Sequence, residues 1–192
     1  MKRINSLEFL PENIDILTGI DLIGNIKRLF KTPAQMPGCL FLLCIRGNCS
    51  ITIHLSKYEL KKNSIAIIFP HQFVQVMEES NDCRFIFVGF SKKLIQSPPL
   101  FSRMIEYTPS IFEEPVIELR PEVAEIFYEY FKVLTKAMKL PNSFMIPKEM
   151  FVCRLVWTVK GISTLLLKME TEPLYLMKMV LPRQVFQIIQ FL

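Results

Sequence analysis

Histidine is nearly missing from this chain: two in 192 residues, His54 and His71. That scarcity removes the usual routes to a metal centre or a catalytic base. Neither histidine lies near a serine or cysteine in a strained turn, so no set of nucleophile, base and orienting group stands out. There is no GxGxxG segment and no P-loop, which excludes the common phosphate cradles. A helix-turn-helix of the expected form, with base-reading side chains on its second helix, is also missing. So are long apolar runs. The best candidate for an uncharged, proline-free apolar run, residues 39–45, ends at Arg46 and falls far short of the ~18 residues a membrane span needs. The first eight residues, Met1-Lys-Arg-Ile-Asn-Ser-Leu-Glu8, lack the apolar core and small-residue cleavage site of a secretory signal.

What is present is apolar. Hydrophobic residues make up 51% of the chain and mean hydropathy is +0.30. The surplus reads either as surface meant for a partner or as a well-filled core. The net charge of +5 is dispersed in pairs, Lys27-Arg28, Lys61-Lys62 and Lys92-Lys93. Such pairs form no stripe of the kind that tracks a phosphate backbone. Five cysteines, odd in number and scattered, fit a reducing cytoplasm rather than a disulfide framework.

The length suits one domain, or one domain with a helical annex. Residues 1–38 are ambiguous: Leu17, Ile20, Leu22, Ile23, Ile26 and Leu29 fit a helix or a strand and turn before Pro33 and Pro37 break the pattern. Gly47-Asn48 predicts a two-residue hairpin pairing Arg46 with Cys49, Cys44 with Ile51, Leu42 with Ile53 and Leu40 with Leu55. Alternation then puts Leu40, Leu42 and Cys44 on one inner face with Ile51 and Ile53. Phe41, Leu43 and Ile45 point the other way and need a cover, which a helix can supply. Residues 65–69 read as a buried strand ended by Pro70. Two more strands are expected at 73–77 and 83–90, joined by the polar turn 78–82, and a short one at 116–119. Strands of this length and spacing predict a jelly-roll barrel.

Pro121 is placed to open a helix running to about residue 139, with Val123, Phe127, Tyr130, Leu134 and Ala137 on one stripe. Pro147 opens a second, to about residue 170 and about 36 Å long. In it Val152, Leu155, Val159, Ile162, Leu166 and Met169 recur at spacings of three and four, an a/d seam. Two readings stay open: a dimer interface with a second copy, or a helix packed on its own barrel. The fold class expected is therefore α+β, a cupin-like jelly-roll β-barrel over residues 1–119 followed by an α-helical hairpin within a helical region at 120–181. Val185, Ile188, Ile189 and Leu192 form an apolar stripe with no stop signal, so residues 182–192 are expected to open a further, truncated domain.

Barrels of the cupin type often hold a metal, through glycine, five residues, then His-x-His. Counted from Gly47, those histidine positions fall on Ile53 and Leu55; His54 lies between them and faces outward. The histidine of the second motif falls on Gln75. No metal and no cofactor are expected, His54 being a surface residue and His71 a turn residue. The cysteines at 39, 44 and 49 are not a CxxC pair. They read as small buried hydrophobes, with a redox-sensing pair as the alternative. The inner face then offers an apolar wall of Leu42, Cys44, Ile51, Ile53, Phe69, Phe85 and Phe87, with Gln75 as a polar anchor. It suits an apolar or amphipathic small-molecule effector, or is a barrel filled by its own side chains.

The run Cys44-Ile-Arg-Gly-Asn48, then Tyr58-Glu-Leu-Lys-Lys-Asn-Ser-Ile-Ala-Ile-Ile-Phe-Pro-His-Gln72, then Phe87-Val-Gly-Phe-Ser-Lys-Lys-Leu94 resembles the N-terminal regulatory domain of AraC-type transcriptional regulators. The two expected helices match the helical hairpin of that domain. The resemblance implies a cytoplasmic, non-enzymatic domain whose barrel binds an effector or a protein regulator and whose helices form a homodimer. It also implies DNA binding through a C-terminal domain of which residues 182–192 resemble only the opening. No membrane partner is expected. Two rival readings remain: a metal-independent small-molecule-binding cupin or cupin-like enzyme, and a truncated interaction protein that pairs with a full-length regulator.

The seam reading has a direct test. Val159→Asp combined with Ile162→Asp puts two unpaired charges at the centre of an apolar interface, at a cost of about 3–5 kcal/mol or more. Native mass spectrometry should then show a soluble monomer in place of a dimer. A dimer that persists places the pairing surface elsewhere, and loss of folding places the helix on its own barrel.

Overall fold

The computed structural model describes residues 15–21, 30–96 and 108–138. Nine strands are found there: β1 Ile16–Asp21, β2 Ala34–Gln35, β3 Gly38–Arg46, β4 Asn48–Ile53, β5 Ser56–Lys61, β6 Ser64–Ile68, β7 Phe73–Glu79, β8 Arg84–Ser91 and β9 Val116–Glu118. Three helices accompany them: α1 Lys92–Ile95, α2 Thr108–Glu113 and α3 Pro121–Ala137. The strands form a five-stranded sheet ordered β1-β8-β3-β6-β9 and a four-stranded sheet ordered β2-β7-β4-β5. Every pairing is antiparallel. With β9 set aside, the chain weaves between the sheets in the order of an eight-stranded jelly roll, the architecture that cupins share. The expected seam residues Val152, Leu155, Val159, Ile162, Leu166 and Met169, the second helix of the hairpin and residues 182–192 lie outside the described residues.

The sorting of strands between the sheets follows from how many faces of each are apolar. β3, Gly-Cys-Leu-Phe-Leu-Leu-Cys-Ile-Arg, is buried from Gly38 through Cys44, and all five residues of β6 are buried. A strand apolar on both faces must be covered on both, so it belongs at the centre of a two-sided sheet. The order β8-β3-β6 puts three such strands together. β4 instead alternates, with Cys49, Ile51 and Ile53 buried and Asn48, Ser50 and Thr52 less so. It therefore lies in the other sheet, which has one face open to solvent.

This sorting overturns the hairpin expected at Gly47-Asn48. β3 and β4 do not pair. The chain turns a corner at Gly47, which has φ +70, and passes from one sheet to the other. The two-residue hairpin lies further on at His54-Leu55, where His54 adopts φ 56 and Ile53 pairs with Ser56. β4 accordingly ends at Ile53 rather than running through Leu55. The expected division of faces holds even though the pairing does not. Leu40, Leu42 and Cys44 meet Ile51 and Ile53 between the sheets, while Phe41 and Leu43 point to the back of the five-stranded sheet.

That back face is covered by α3. Pro121 occupies the first turn, and Val123, Ala124, Phe127, Tyr130, Phe131 and Leu134 are buried, the apolar stripe of a surface helix. They pack on Phe41, Leu43, Ile65, Ile67, Ile86, Val88 and Phe90. Phe41 and Phe90 meet edge to face at 5.8 Å, as do Phe127 and Phe131 at 6.1 Å, the arrangement that aromatic quadrupoles favour. Lys136 in the last turn is placed well against the helix dipole.

The corner at Gly47 is tightly built. A Cβ placed there would lie 2.8 Å from the Cα and N of Cys83 and would also meet the Ser80 hydroxyl. Its positive φ disfavours a side chain independently. Gly47→Ala should therefore cost about 1–3 kcal/mol, read as a lower urea midpoint at unchanged slope. An unchanged midpoint would show that the 80–83 turn yields freely.

Candidate functional site

The space between the two sheets is lined almost wholly by apolar side chains. Six of the eight expected wall residues meet there: Leu42, Cys44, Ile51, Ile53 and Phe85 are buried, and Phe87 packs against them half-buried. The strand positions that face inward supply them: Leu42 and Cys44 from β3, Ile51 and Ile53 from β4, Phe85 and Phe87 from β8. Sequence reasoning did not include Phe30, Met36, Leu60, Ile68, Val74 and Val76, which also belong to the wall. The alternation of Val74 and Val76 with outward neighbours was the available signal for those two. Leu17, Tyr58 and Val116 are, like Phe87, only partly buried, and they flank the inner layer at its rims. The Phe87 ring lies against Gly19, directly opposite on β1, where an added Cβ would come within 2.8 Å of the ring. Glycine there leaves room for the ring to lie over the strand.

Phe69 and Gln75 are placed elsewhere. Phe69 belongs with Ile65 and Ile67 on the helix side of the sheet, and its ring stacks on Phe112 at 5.1 Å and 8°. Gln75 faces out from the four-stranded sheet, and its Nε2 donates to the Lys31 carbonyl at 3.1 Å. It lines an outer groove of about 440 Å³ with Pro33, Thr52, His54, Leu55 and Phe73. Leu55 is fully exposed there and Phe73 is 49% exposed. A smaller acidic hollow of about 240 Å³ lies further along the same face, between Asn48, Ser50, Glu59, Glu78 and Glu79.

Among the described residues, the buried cluster between the sheets carries three thiols. Cys44, Cys49 and Cys83 all belong to the inner layer. The Cys44 thiol lies 3.3 Å from the Arg46 carbonyl oxygen and 3.6 Å from that of Gly47, and donates to both. A hydrogen bond from Cys83 holds Cys44 below the ordinary thiol range, opposed by burial. The same bond, together with burial, pushes Cys83 up. Cys39 faces the helix layer, where burial alone pushes its thiol up. Both histidines are exposed and left-handed, with φ 56 at His54 and φ 70 at His71. Among the described residues, no three His, Cys, Asp or Glu side chains are grouped so as to hold a metal ion. Nor does any described helix have the length and apolarity to cross a membrane.

The chain matches no protein-family model, and no curated protein sequence is similar to it. Solved structures that align with part of this chain include the cupin domain of Schizosaccharomyces pombe Cnp3, at 13% identity and TM-score 0.35, covering 43% of this chain and 61% of that one. A cupin 2 conserved barrel domain protein from Leptotrichia buccalis aligns at 21% identity and TM-score 0.29, covering 31% of this chain and 29% of that one. ToxT from Vibrio cholerae aligns at 10% identity and TM-score 0.39, covering 83% of this chain and 60% of that one. The chain thus spans less than two thirds of the length of each of these.

One buried polar side chain sets the edge of the site. Gln72, 2% exposed, accepts the Phe69 N–H at 2.7 Å through Oε1. Its own carbonyl accepts the Met36 N–H at 2.9 Å, so the turn after β6 is tied to the segment between β2 and β3. Gln72→Leu leaves the Phe69 amide buried without an acceptor, at about 1–3 kcal/mol. Thermal unfolding should show the loss; an unchanged melting temperature would mean that water reaches the amide.

Proposed function

We propose that this chain is a non-enzymatic, effector-sensing domain of an AraC-type transcriptional regulator, acting in the cytoplasm. The observation that carries the proposal is the wall between the sheets: Leu42, Ile51, Ile53, Phe85 and Phe87, with no charged side chain buried among the described residues. An environment of that kind selects an apolar or amphipathic ligand and gives a polar substrate nothing to bind. The motifs at 44–48, 58–72 and 87–94 support the family reading, and the jelly roll supports the fold that the family implies.

Transmission follows from the same strand. Leu40, Leu42 and Cys44 of β3 face the ligand side while Phe41 and Leu43 pack under α3. A close-packed interior passes on displacement instead of absorbing it. A ligand that spreads the sheets therefore shifts the bed on which α3 lies. In the family reading, that shift resets how two copies pair through their helices, and so the spacing of two DNA-binding domains. The effector acts only through a difference in affinity between the two packings.

The test uses the purified chain, native mass spectrometry and the amphipathic dye 1-anilinonaphthalene-8-sulfonate. Wild-type protein should carry an apolar adduct, or bind the dye at one saturable site. Leu42→Trp, which fills the inner layer, should abolish both while α3 helicity persists by circular dichroism. Dye binding that is equal in both proteins, or lost from neither, would overturn the proposal and leave a barrel filled by its own side chains.

A further inference from the structure

The open face of the four-stranded sheet carries two features in line. At one end is the outer groove of about 440 Å³, where Leu55 is fully exposed and Phe73 half-exposed beside Pro33. At the other is the acidic hollow of about 240 Å³, between Ser50, Glu59, Glu78 and Glu79. Glu59 reaches Lys61 at 3.6 Å, an exposed pair that leaves the hollow with an excess of carboxylates. The Ser50 hydroxyl oxygen is buried there and has no hydrogen-bond partner among the described residues. Phe73 lies in the groove, and Glu78 and Glu79 lie in the hollow at the far end of the same strand, β7. The two features are therefore about 17–20 Å apart along the strand.

The first described residue, Asp15, lies at the groove's end of the barrel. Its carbonyl accepts the Ser91 N–H at 2.8 Å, and Ser91 pairs with Gly38. Just before Gly38, the Met36 N–H bonds the Gln72 carbonyl at 2.9 Å. The next carbonyl, that of Phe73, accepts the His54 N–H at 2.8 Å. Residues 1–14 precede Asp15. Extended, they reach about 46–50 Å, which is ample to round a barrel whose sheets lie about 10 Å apart and then cross its face. Their sequence runs in the order of the two features. Leu7 and Phe9 lie nearer Asp15, and Lys2 and Arg3 lie beyond them. In an extended chain Arg3, Asn5, Leu7 and Phe9 share one face, and Phe9 is about 20 Å from Arg3.

We propose that residues 1–14 form a strap across the open face of the four-stranded sheet of their own chain, with Leu7 and Phe9 in the groove on Leu55 and Phe73, and Arg3 in the acidic hollow. The apolar half of the strap takes out of water two side chains that the sheet leaves bare. The basic half meets carboxylates, and the Arg3 guanidinium or the Asn5 amide supplies the donor that the Ser50 oxygen lacks. Only one direction satisfies both ends. Reversed, the strap sets Lys2 and Arg3 on Leu55 and Phe73 and leaves Phe9 among the glutamates. The strap leaves from β1, in the five-stranded sheet, and ends on the four-stranded one, so it spans the two sheets from outside.

The test is zero-length cross-linking of the full chain. A carbodiimide joins an amine to a carboxylate that touches it, and Lys2, next to Arg3, is the amine of the strap. Isotopically light and heavy chains are mixed through a cycle of urea unfolding and refolding, coupled, and mapped by mass spectrometry after chymotrypsin. The expected result is Lys2 joined to Glu59, Glu78 or Glu79, with both peptides of one isotope. Phe9→Asp should lower that yield about tenfold and raise hydroxyl-radical oxidation of Leu55 and Phe73 several-fold, with the circular dichroism spectrum unchanged. Leu55→Asp, at a fully exposed hairpin position, should lower the yield in the same way. The proposal is overturned if Lys2 couples elsewhere or not at all, or if Phe9→Asp leaves either reading unchanged, the groove then having another occupant. Joined peptides of mixed isotope also overturn it, by placing the strap of a second copy on the face. No effector is added, so the result stands or falls apart from the sensing function.

Discussion

The fold depends on β3 being buried on both faces. Its residues alternate between two apolar layers, Leu40, Leu42 and Cys44 to one and Cys39, Phe41 and Leu43 to the other, and each is 2% exposed or less. Neither layer can form without the other. The inner layer needs the four-stranded sheet and the outer layer needs α3. Burying one such side chain is worth about 1.5–3 kcal/mol, so the strand would be a liability with either cover removed. The central position of β3 between β8 and β6, the packing of α3 and the openness of one face of the other sheet all follow from that requirement.

The faces were legible in the sequence and the partners were not. Alternation along β3 and β4 identifies which side chains look inward, because the period of two is a property of the strand itself. It does not say which sheet a strand joins. A glycine with positive φ serves a two-residue hairpin and a corner between sheets equally well, and at Gly47 the chain uses it as a corner. What decides is the number of apolar faces. β3 is apolar on two and β4 on one, a difference visible in the sequence but not used to separate them.

The two wall residues that lie elsewhere, Phe69 and Gln75, show the same limit in different forms. Residues 65–69 are apolar without interruption, so the run carries no phase. Phe69 falls in step with Ile65 and Ile67 on the helix side, and only the register with β3 and β9 reveals it. Around Gln75 the phase was present: Val74 and Val76 are buried and Phe73 and Met77 are exposed, which places Gln75 outward with the exposed pair. A polar residue at the position of a histidine in a metal-binding barrel invited the inward reading, but a strand with one wet face requires the outward one. Cys83 could not have been joined to Gly47 by spacing, since the backbone of Cys83 is brought against that corner by a return of the chain 36 positions later.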